Sequence, residues 1–452
     1  MTLQNLKLHS SAQTQMRTLF SQNTRYQPYF LRNLKKMPQY RLLSEEQIFD
    51  IEVVARVLPF RTNNYVINEL INWDEIPNDP LFILNFPQKG MLIPRHYDEV
   101  AGLLKKGAPE EEINQVVNRI RLELEPHPAG QLTHNRPTLN GEVLKGMQHK
   151  YRETVLFFPS QGQTCHAFCT FCFRWPQFVG EEDLRFAMRE VEPLIAYLKT
   201  KPDVSDILFT GGDPLFMKTK VLAEYIDPIL DADLESIRTI RIGTKTLSYW
   251  PYRFLTDPDA DELLSLFKKI VDSGKHLAIM AHFNHPRELQ TEAVHEAIAR
   301  LRAVGVQIRT QSPVLNHINN DPKLWATMWQ QQVELGCVPY YMFIARNTGA
   351  QHYFSIPLVD AWQIFREAYQ TVSGLARTVR GPVMSAYPGK IQILGVNEIL
   401  GNKVITLRAI QSRYADDVMR PFFAEYDENA IWFNELKPAF GEEKFIVDHG
   451  VK

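Results

Sequence analysis

The chain has 452 residues, 44% hydrophobic and 23% charged, and its 50 basic and 52 acidic side chains leave a net charge of −2. That composition excludes a disordered chain, a coiled-coil rod and a collagen-like repeat, and the balanced charge offers no global basic field to nucleic acid. No apolar run approaches the roughly 20 residues that span a bilayer. The start, Met1–Ser10, lacks a secretory pattern. With four cysteines, three of them inside eight residues, there is no disulfide framework, so a reducing cytoplasm is the expected compartment.

In chain order, the first ~40 residues are polar with scattered aromatics and read as an N-terminal arm, suited to an interface between copies of the chain. Ser44 and Gln47 fit a capping box, with Ile48, Ile51, Val54 and Ala55 on one helical face and Pro59 as the stop. Asn72 to Pro94 reads as ordered loop. Pro109 opens a helix whose first turn carries Glu110, Glu111 and Glu112, with Ile113, Val116, Val117, Ile120 and Leu124 facing inward. Residues 1–135 are therefore expected to be mainly helical.

From residue 145 to 380 the pattern alternates. Strands are expected at Val155–Phe158, Asp206–Phe209, Ile237–Ile242, Leu277–Ala281, Val306–Arg309 and Val338–Phe343. Helical segments at Asp183–Lys199, Ala260–Asp272, Glu292–Ala303 and Leu324–Leu335 lie among them. Six βα units in series imply an α/β fold with a parallel sheet, a partial barrel or a doubly wound one, with the chemistry at the C-terminal ends of the strands. Residues 381–452 form a small β-rich segment, with runs at Lys390–Val396 and Lys403–Leu407 about a turn containing Gly401.

Cys165, Cys169 and Cys172 are spaced C-x3-C-x2-C just after the first strand. Three thiolates on one loop suit an iron–sulfur cubane with one open iron. Zinc would ask for a fourth ligand, which neither adjacent His166 nor distant Cys337 supplies readily, and three incidental core cysteines are the bland alternative. Phe171 would shield a cluster from water.

The run Cys165-His166-Ala167-Phe168-Cys169-Thr170-Phe171-Cys172 resembles the radical S-adenosylmethionine (SAM) signature. Thr210-Gly211-Gly212-Asp213-Pro214 follows the second strand, where bare backbone would let a small zwitterion approach. Ala281-His282-Phe283-Asn284-His285-Pro286 and Gln311-Ser312-Pro313-Val314-Leu315 end the fourth and fifth strands, and Asn319-Asn320-Asp321-Pro322 comes after the latter. Together these resemble the lysine 2,3-aminomutase family over most of the chain. The resemblance implies a (βα)6 partial barrel, a [4Fe-4S] cluster on Cys165, Cys169 and Cys172, and SAM contacted by Gly211, Gly212, Asp213, His282 and Gln311. It further implies pyridoxal 5′-phosphate (PLP) on a lysine after the barrel, and a reductant such as flavodoxin or ferredoxin.

Tyr387-Pro388-Gly389-Lys390-Ile391 occupies the region of that lysine, which makes Lys390 the catalytic candidate; the family's longer glycine run is absent. By resemblance, Arg174 binds the substrate α-carboxylate, and Lys150 lies near the PLP phosphate, where an arginine is usual. Lysine-acting members hold the ε-ammonium with two aspartates. Here Arg346 stands at one position and no acid lies between Gly381 and Lys390. An arginine repels an ammonium, so free lysine fits poorly, and Arg346 suits a carboxylate as in the glutamate-acting branch. The expected reaction moves an amino group between C2 and C3 of an amino acid through a 5′-deoxyadenosyl radical and a PLP imine. A PLP-independent radical SAM enzyme acting on a peptide or small molecule, the protein-modifying branch and an iron–sulfur redox sensor are the alternatives.

Overall fold

The computed structural model describes residues 24–124, 135–179 and 187–449. Its main sheet has eleven strands: β1 Met147–Tyr151, β2 Thr154–Phe157, β3 Asp206–Phe209, β4 Thr239–Thr244, β5 His276–His282, β6 Gln307–Val314, β7 Val338–Ile344, β8 Arg380–Ser385, β9 Gly389–Ile399, β10 Asn402–Ser412 and β11 Pro421–Glu425. Their order in the sheet follows their order in the chain. β2 to β8 run parallel, while β1 and the three strands after β8 pair antiparallel with their neighbours.

Six helices fill the crossovers between parallel strands: Glu192–Lys199, Thr219–Asp231, Ala260–Asp272, Glu292–Ala303, Pro322–Glu334 and Leu358–Thr371. Parallel neighbours require such crossovers, and helices that cover the sheet keep its strands apolar. Ile207, Phe209, Ile240, Ile242, Ile279 and Ile308 are accordingly buried. All six expected strands are present, with ends shifted by a few residues. The expected helix Asp183–Lys199 is described only from residue 187 and is regular over Glu192–Lys199.

The parallel run gains a seventh strand, β8, that the sequence hides. Gly381-Pro382 reads as a turn, yet the segment pairs Tyr341 with Arg380 and Phe343 with Val383, with an irregular register between them that absorbs the missing proline N–H. β8 carries the sheet across residue 381, so the C-terminal segment continues it. Lys390–Val396 and Lys403–Leu407 are the middles of the longer β9 and β10, which turn through Leu400 and Gly401 at φ +53° and +77°.

The sheet curls on itself. Lys150 at its β1 edge donates from Nζ to the Ala386 carbonyl just after β8. Tyr151 and Ser385 join their hydroxyls at 3.1 Å. Groups with six strands between them can touch only if the sheet is curved towards a barrel.

In the N-terminal region, Glu45–Val57 carries the expected capping box, with Ser44 Oγ accepting from Gln47 N–H at 3.1 Å and Gln47 Oε1 from Ser44 N–H at 2.8 Å. Helices Pro94–Lys106 and Glu110–Glu123 follow. The expected loop from Asn72 to Pro94 instead holds a short helix, Pro80–Asn85, started by Asp79 accepting from Leu81 and Phe82 N–H. Of the N-terminal arm, residues 1–23 lie outside the described residues. From residue 24 the chain is ordered onto the barrel, with Pro28–Tyr29 paired to Thr62–Asn63.

Candidate active site at the cysteine edge of the sheet

Cys165, Cys169 and Cys172 follow β2 and a 3-10 turn, Ser160–Gly162, and each is half-buried. The loop has little regular structure of its own, and the N-terminal region supplies its partners. Phe168 N–H donates to Arg61 O at 2.8 Å and Thr170 N–H to Leu84 O at 3.0 Å. Arg61 Nη1 donates to Thr164 Oγ1 at 2.7 Å. Tyr26 OH and Asn63 Nδ2 both donate to His166 O, at 2.7 and 3.1 Å.

Burial pushes the thiols up, Cys169 to about 11, Cys172 to about 12 and Cys165 well above its ordinary value, and the three repel one another's charge. Thiols so placed surrender their protons to a bound cation. Among the described residues no three His, Cys, Asp or Glu side chains gather around the position of a single ion. His166 Nδ1 is taken by Thr246 Oγ1 at 3.1 Å, and its ring lies nearly parallel to Trp250. Cys337 is buried before β7, at the opposite edge of the sheet. The zinc reading thus lacks a fourth ligand, and the donor set fits a cluster held by three thiolates.

Gly211 and Gly212 follow β3 and lie against the start of the cysteine loop. Gly211 has φ +132°, and a Cβ on Gly212 would meet Thr164 N at 2.4 Å and Thr164 O at 2.5 Å. Those are backbone atoms, so nothing flexible can yield. Gly212→Ala is expected to push the two loops apart and sharply lower iron content after reconstitution, an overpacking cost of at least ~1–3 kcal/mol; iron content equal to wild type would show the loops tolerate separation.

Asp213 is buried and accepts from Thr244 Oγ1 at 2.7 Å, Thr246 Oγ1 and Lys245 N–H at 2.9 Å, and Leu215 N–H at 3.0 Å. Its carboxylate is saturated by protein donors and holds the loop after β3 to the loop after β4.

His282 ends β5 and faces its register partner Gln311 on β6, with Gln311 Nε2 2.9 Å from His282 Nε2. Burial, aided by Lys245, lowers the imidazole to about 3. It is therefore neutral and accepts the amide proton, leaving Gln311 Oε1 as an acceptor beside it.

A group of basic side chains shares the same mouth. The guanidinium carbons of Arg174 and Arg346 lie 4.9 and 5.0 Å from the centre of the Phe173 ring. Arg174 Nη1 is buried without a hydrogen-bond partner, and burial lowers this side chain to about 9, with Arg346 adding to the fall. Lys390 Nζ lies 4.5 Å from the Tyr341 ring centre and 5.1 Å from that of Tyr151. Burial, then Arg241 and Arg380, lower its ammonium to about 7. Lys150 Nζ lies 5.7 Å from the Tyr151 ring centre, and burial takes it well below its ordinary range. The Tyr151 ring is thus a neighbour of both amines. A small recess of about 20 Å³ is lined by Lys150, Tyr387, Arg413 and His449 among others.

These residues fit PLP in kind: a lysine that is partly uncharged near neutral pH, aromatic faces beside it, and the basic side chains Lys150 and Arg413 for a phosphate. The sequence reading missed Tyr151 and Tyr341 as walls, Arg241 and Arg380 as charges near the lysine, and Arg413 in the recess. Alternation along β7 marks Tyr341 as inward; nothing local marks the others.

No family model matches the chain. A protein of Aquifex aeolicus named "Putative L-lysine 2,3-aminomutase" is 32% identical over 404 residues, 89% of this chain and 94% of its own length. A glutamate 2,3-aminomutase of Clostridioides difficile is 28% identical over 214 residues, 47% of each chain. Among solved structures, Streptococcus suis SuiB bound to S-adenosylmethionine is 12% identical, covering 60% of this chain and 55% of that one at a TM-score of 0.33, a likeness too slight to carry weight.

Proposed function

Because the chain belongs to the lysine 2,3-aminomutase family of radical SAM enzymes, we propose that it moves an amino group between C2 and C3 of an amino acid other than free lysine. The observation that carries this reading is the buried Lys390 amine, lowered to about 7 and reaching into the barrel from the strand that follows β8. When bound, the cluster and SAM supply a carbon radical that removes a hydrogen atom, and PLP supplies an electron sink for the amine nitrogen.

The residues of this chain divide the work of binding and orientation. Cys165, Cys169 and Cys172 would hold the cluster. Gly211 and Gly212 would offer backbone to SAM, with the neutral His282–Gln311 pair beside it. Arg174, with an unpaired Nη1, would take the substrate α-carboxylate and fix its β-carbon. Lys390 would exchange PLP with the substrate amine, and Lys150 would sit at the phosphate. Tyr151, Tyr341 and Phe173 would keep water from the reacting carbon.

Arg346, against Phe173 and within 5.8 Å of the Trp432 ring centre, would repel a substrate ammonium and favour a carboxylate side chain. Arg346→Asp is expected to lower kcat/KM for acidic amino acids by at least about tenfold, the scale of one lost charged hydrogen bond. Unchanged ratios across an amino-acid panel would place Arg346 outside substrate recognition.

The chemistry calls for a low-potential one-electron donor of the flavodoxin or ferredoxin kind and for a reducing compartment. Among the described residues no helix is long and apolar enough to cross a membrane. The reading is tested on reconstituted protein with PLP and reductant, by following SAM cleavage to 5′-deoxyadenosine and then mapping pyridoxyl adducts after borohydride. Cleavage with an adduct on Lys390 is expected. Cleavage with no adduct would favour a radical SAM enzyme that has kept the barrel without PLP, and no cleavage would favour a redox sensor.

A further inference from the structure

Tyr249 is buried at the end of a short helix, Thr246–Tyr249, after β4. Its hydroxyl lies 3.4 Å from Cys169 Sγ, across 80 residues of chain. Several contacts hold it there. Asn63 Nδ2 donates both to the Tyr249 carbonyl at 3.0 Å and to the His166 carbonyl at 3.1 Å, so one amide ties the tyrosine's backbone to the cysteine loop.

Lys245 Nζ sits 4.4 Å from the centre of the Tyr249 ring. It is itself fixed by Glu288 Oε1 at 2.6 Å and Asn284 Oδ1 at 2.8 Å. Glu288 is fully buried and also accepts from the Ser248 hydroxyl and from His285 N–H at 2.9 Å. The Asn85 side chain is the hydroxyl's other neighbour, its Oδ1 buried with no hydrogen-bond partner, and the Cys169 sulfur lies within hydrogen-bond distance.

We infer that Tyr249 is a positioning residue that sets the reduction potential of the cluster, its O–H donating to the Cys169 thiolate. The inference rests on the cluster reading above. A sulfur bound to iron carries no proton, so the only hydrogen between the two atoms belongs to the tyrosine. A donor to a cluster thiolate stabilises the cluster more after it has gained negative charge, which raises its potential. Lys245, a cation fixed over the same ring, acts in the same direction. In a buried site this sets how readily the cluster accepts the electron that SAM cleavage consumes.

The test is an EPR-monitored redox titration of the reconstituted full chain, in which dithionite gives the cluster one electron and takes it from the 2+ to the 1+ state with no protein bond broken. Tyr249→Phe is expected to bind as much iron as wild type and to show a more negative midpoint. Replacing Tyr249 by 3-fluorotyrosine, a stronger donor of the same shape, is expected to shift the midpoint the other way. If the phenylalanine variant holds less iron, the fluorotyrosine protein decides alone. Equal midpoints overturn the inference and leave the cluster reading standing, whereas a wild-type protein with no reducible cluster overturns both.

Discussion

Replacing Cys169 with alanine is expected to remove the iron–sulfur absorbance and reduce SAM cleavage to background. The two remaining thiols, Cys165 and Cys172, lie seven positions apart on the same loop, and among the described residues no other side chain is placed to stand in. His166 is locked to Thr246, Cys337 is buried at the far edge, and among the described residues no alternative group of three ligands exists. The loop's backbone is pinned by Arg61, Asn63 and Leu84, so it cannot shift to present another donor. Iron content, visible absorbance and 5′-deoxyadenosine yield measure the effect. Cleavage surviving in this variant would defeat the cluster assignment. The circular dichroism of the variant should stay near wild type, because those backbone contacts do not involve the sulfur.

Lys390→Met is expected to keep the cluster and SAM cleavage uncoupled from turnover while losing the borohydride-trapped pyridoxyl group. The same variant has a pH signature in PLP-free protein. The folded-state ammonium is lowered to about 7 from its usual 10.5. Between those values the unfolded chain binds the extra proton, so folded wild type gains stability as pH rises through that window. Below about pH 7 both states are protonated, and the folded state bears the full cost of a buried cation, on the order of a few kcal/mol. Lys390→Met should therefore be the more stable protein at pH 6, and its advantage should shrink towards pH 10. Denaturant melts at several pH values follow it. A pH-independent difference would mean that the Lys390 amine is solvated, and equal pyridoxyl content in both proteins would remove it from its role.

The sequence by itself determined the cysteine loop, the glycine turn and the six βα units. Each is a local matter: C-x3-C-x2-C sets three thiols on one short loop, a Gly-Gly pair permits close backbone approach, and apolar runs alternating with helical faces report burial wherever they occur. It also placed Lys390 beside a turn and Arg346 past a strand end. What it could not show is what these side chains meet. Lys390 is lowered to about 7 by burial and then by Arg241 and Arg380 from separate strands, and the curl of the sheet brings Tyr151 beside the amine. Tyr249 is held near Cys169 by Asn63, from the N-terminal region, which joins the two loops. β8 itself was hidden by Gly381-Pro382, whose turn-like chemistry is overridden once β7 lies alongside. Spacing along a chain encodes ligand sets and periodicity. Charge, burial and partners at the site arise from groups tens to hundreds of residues apart, and only closure of the sheet brings those together.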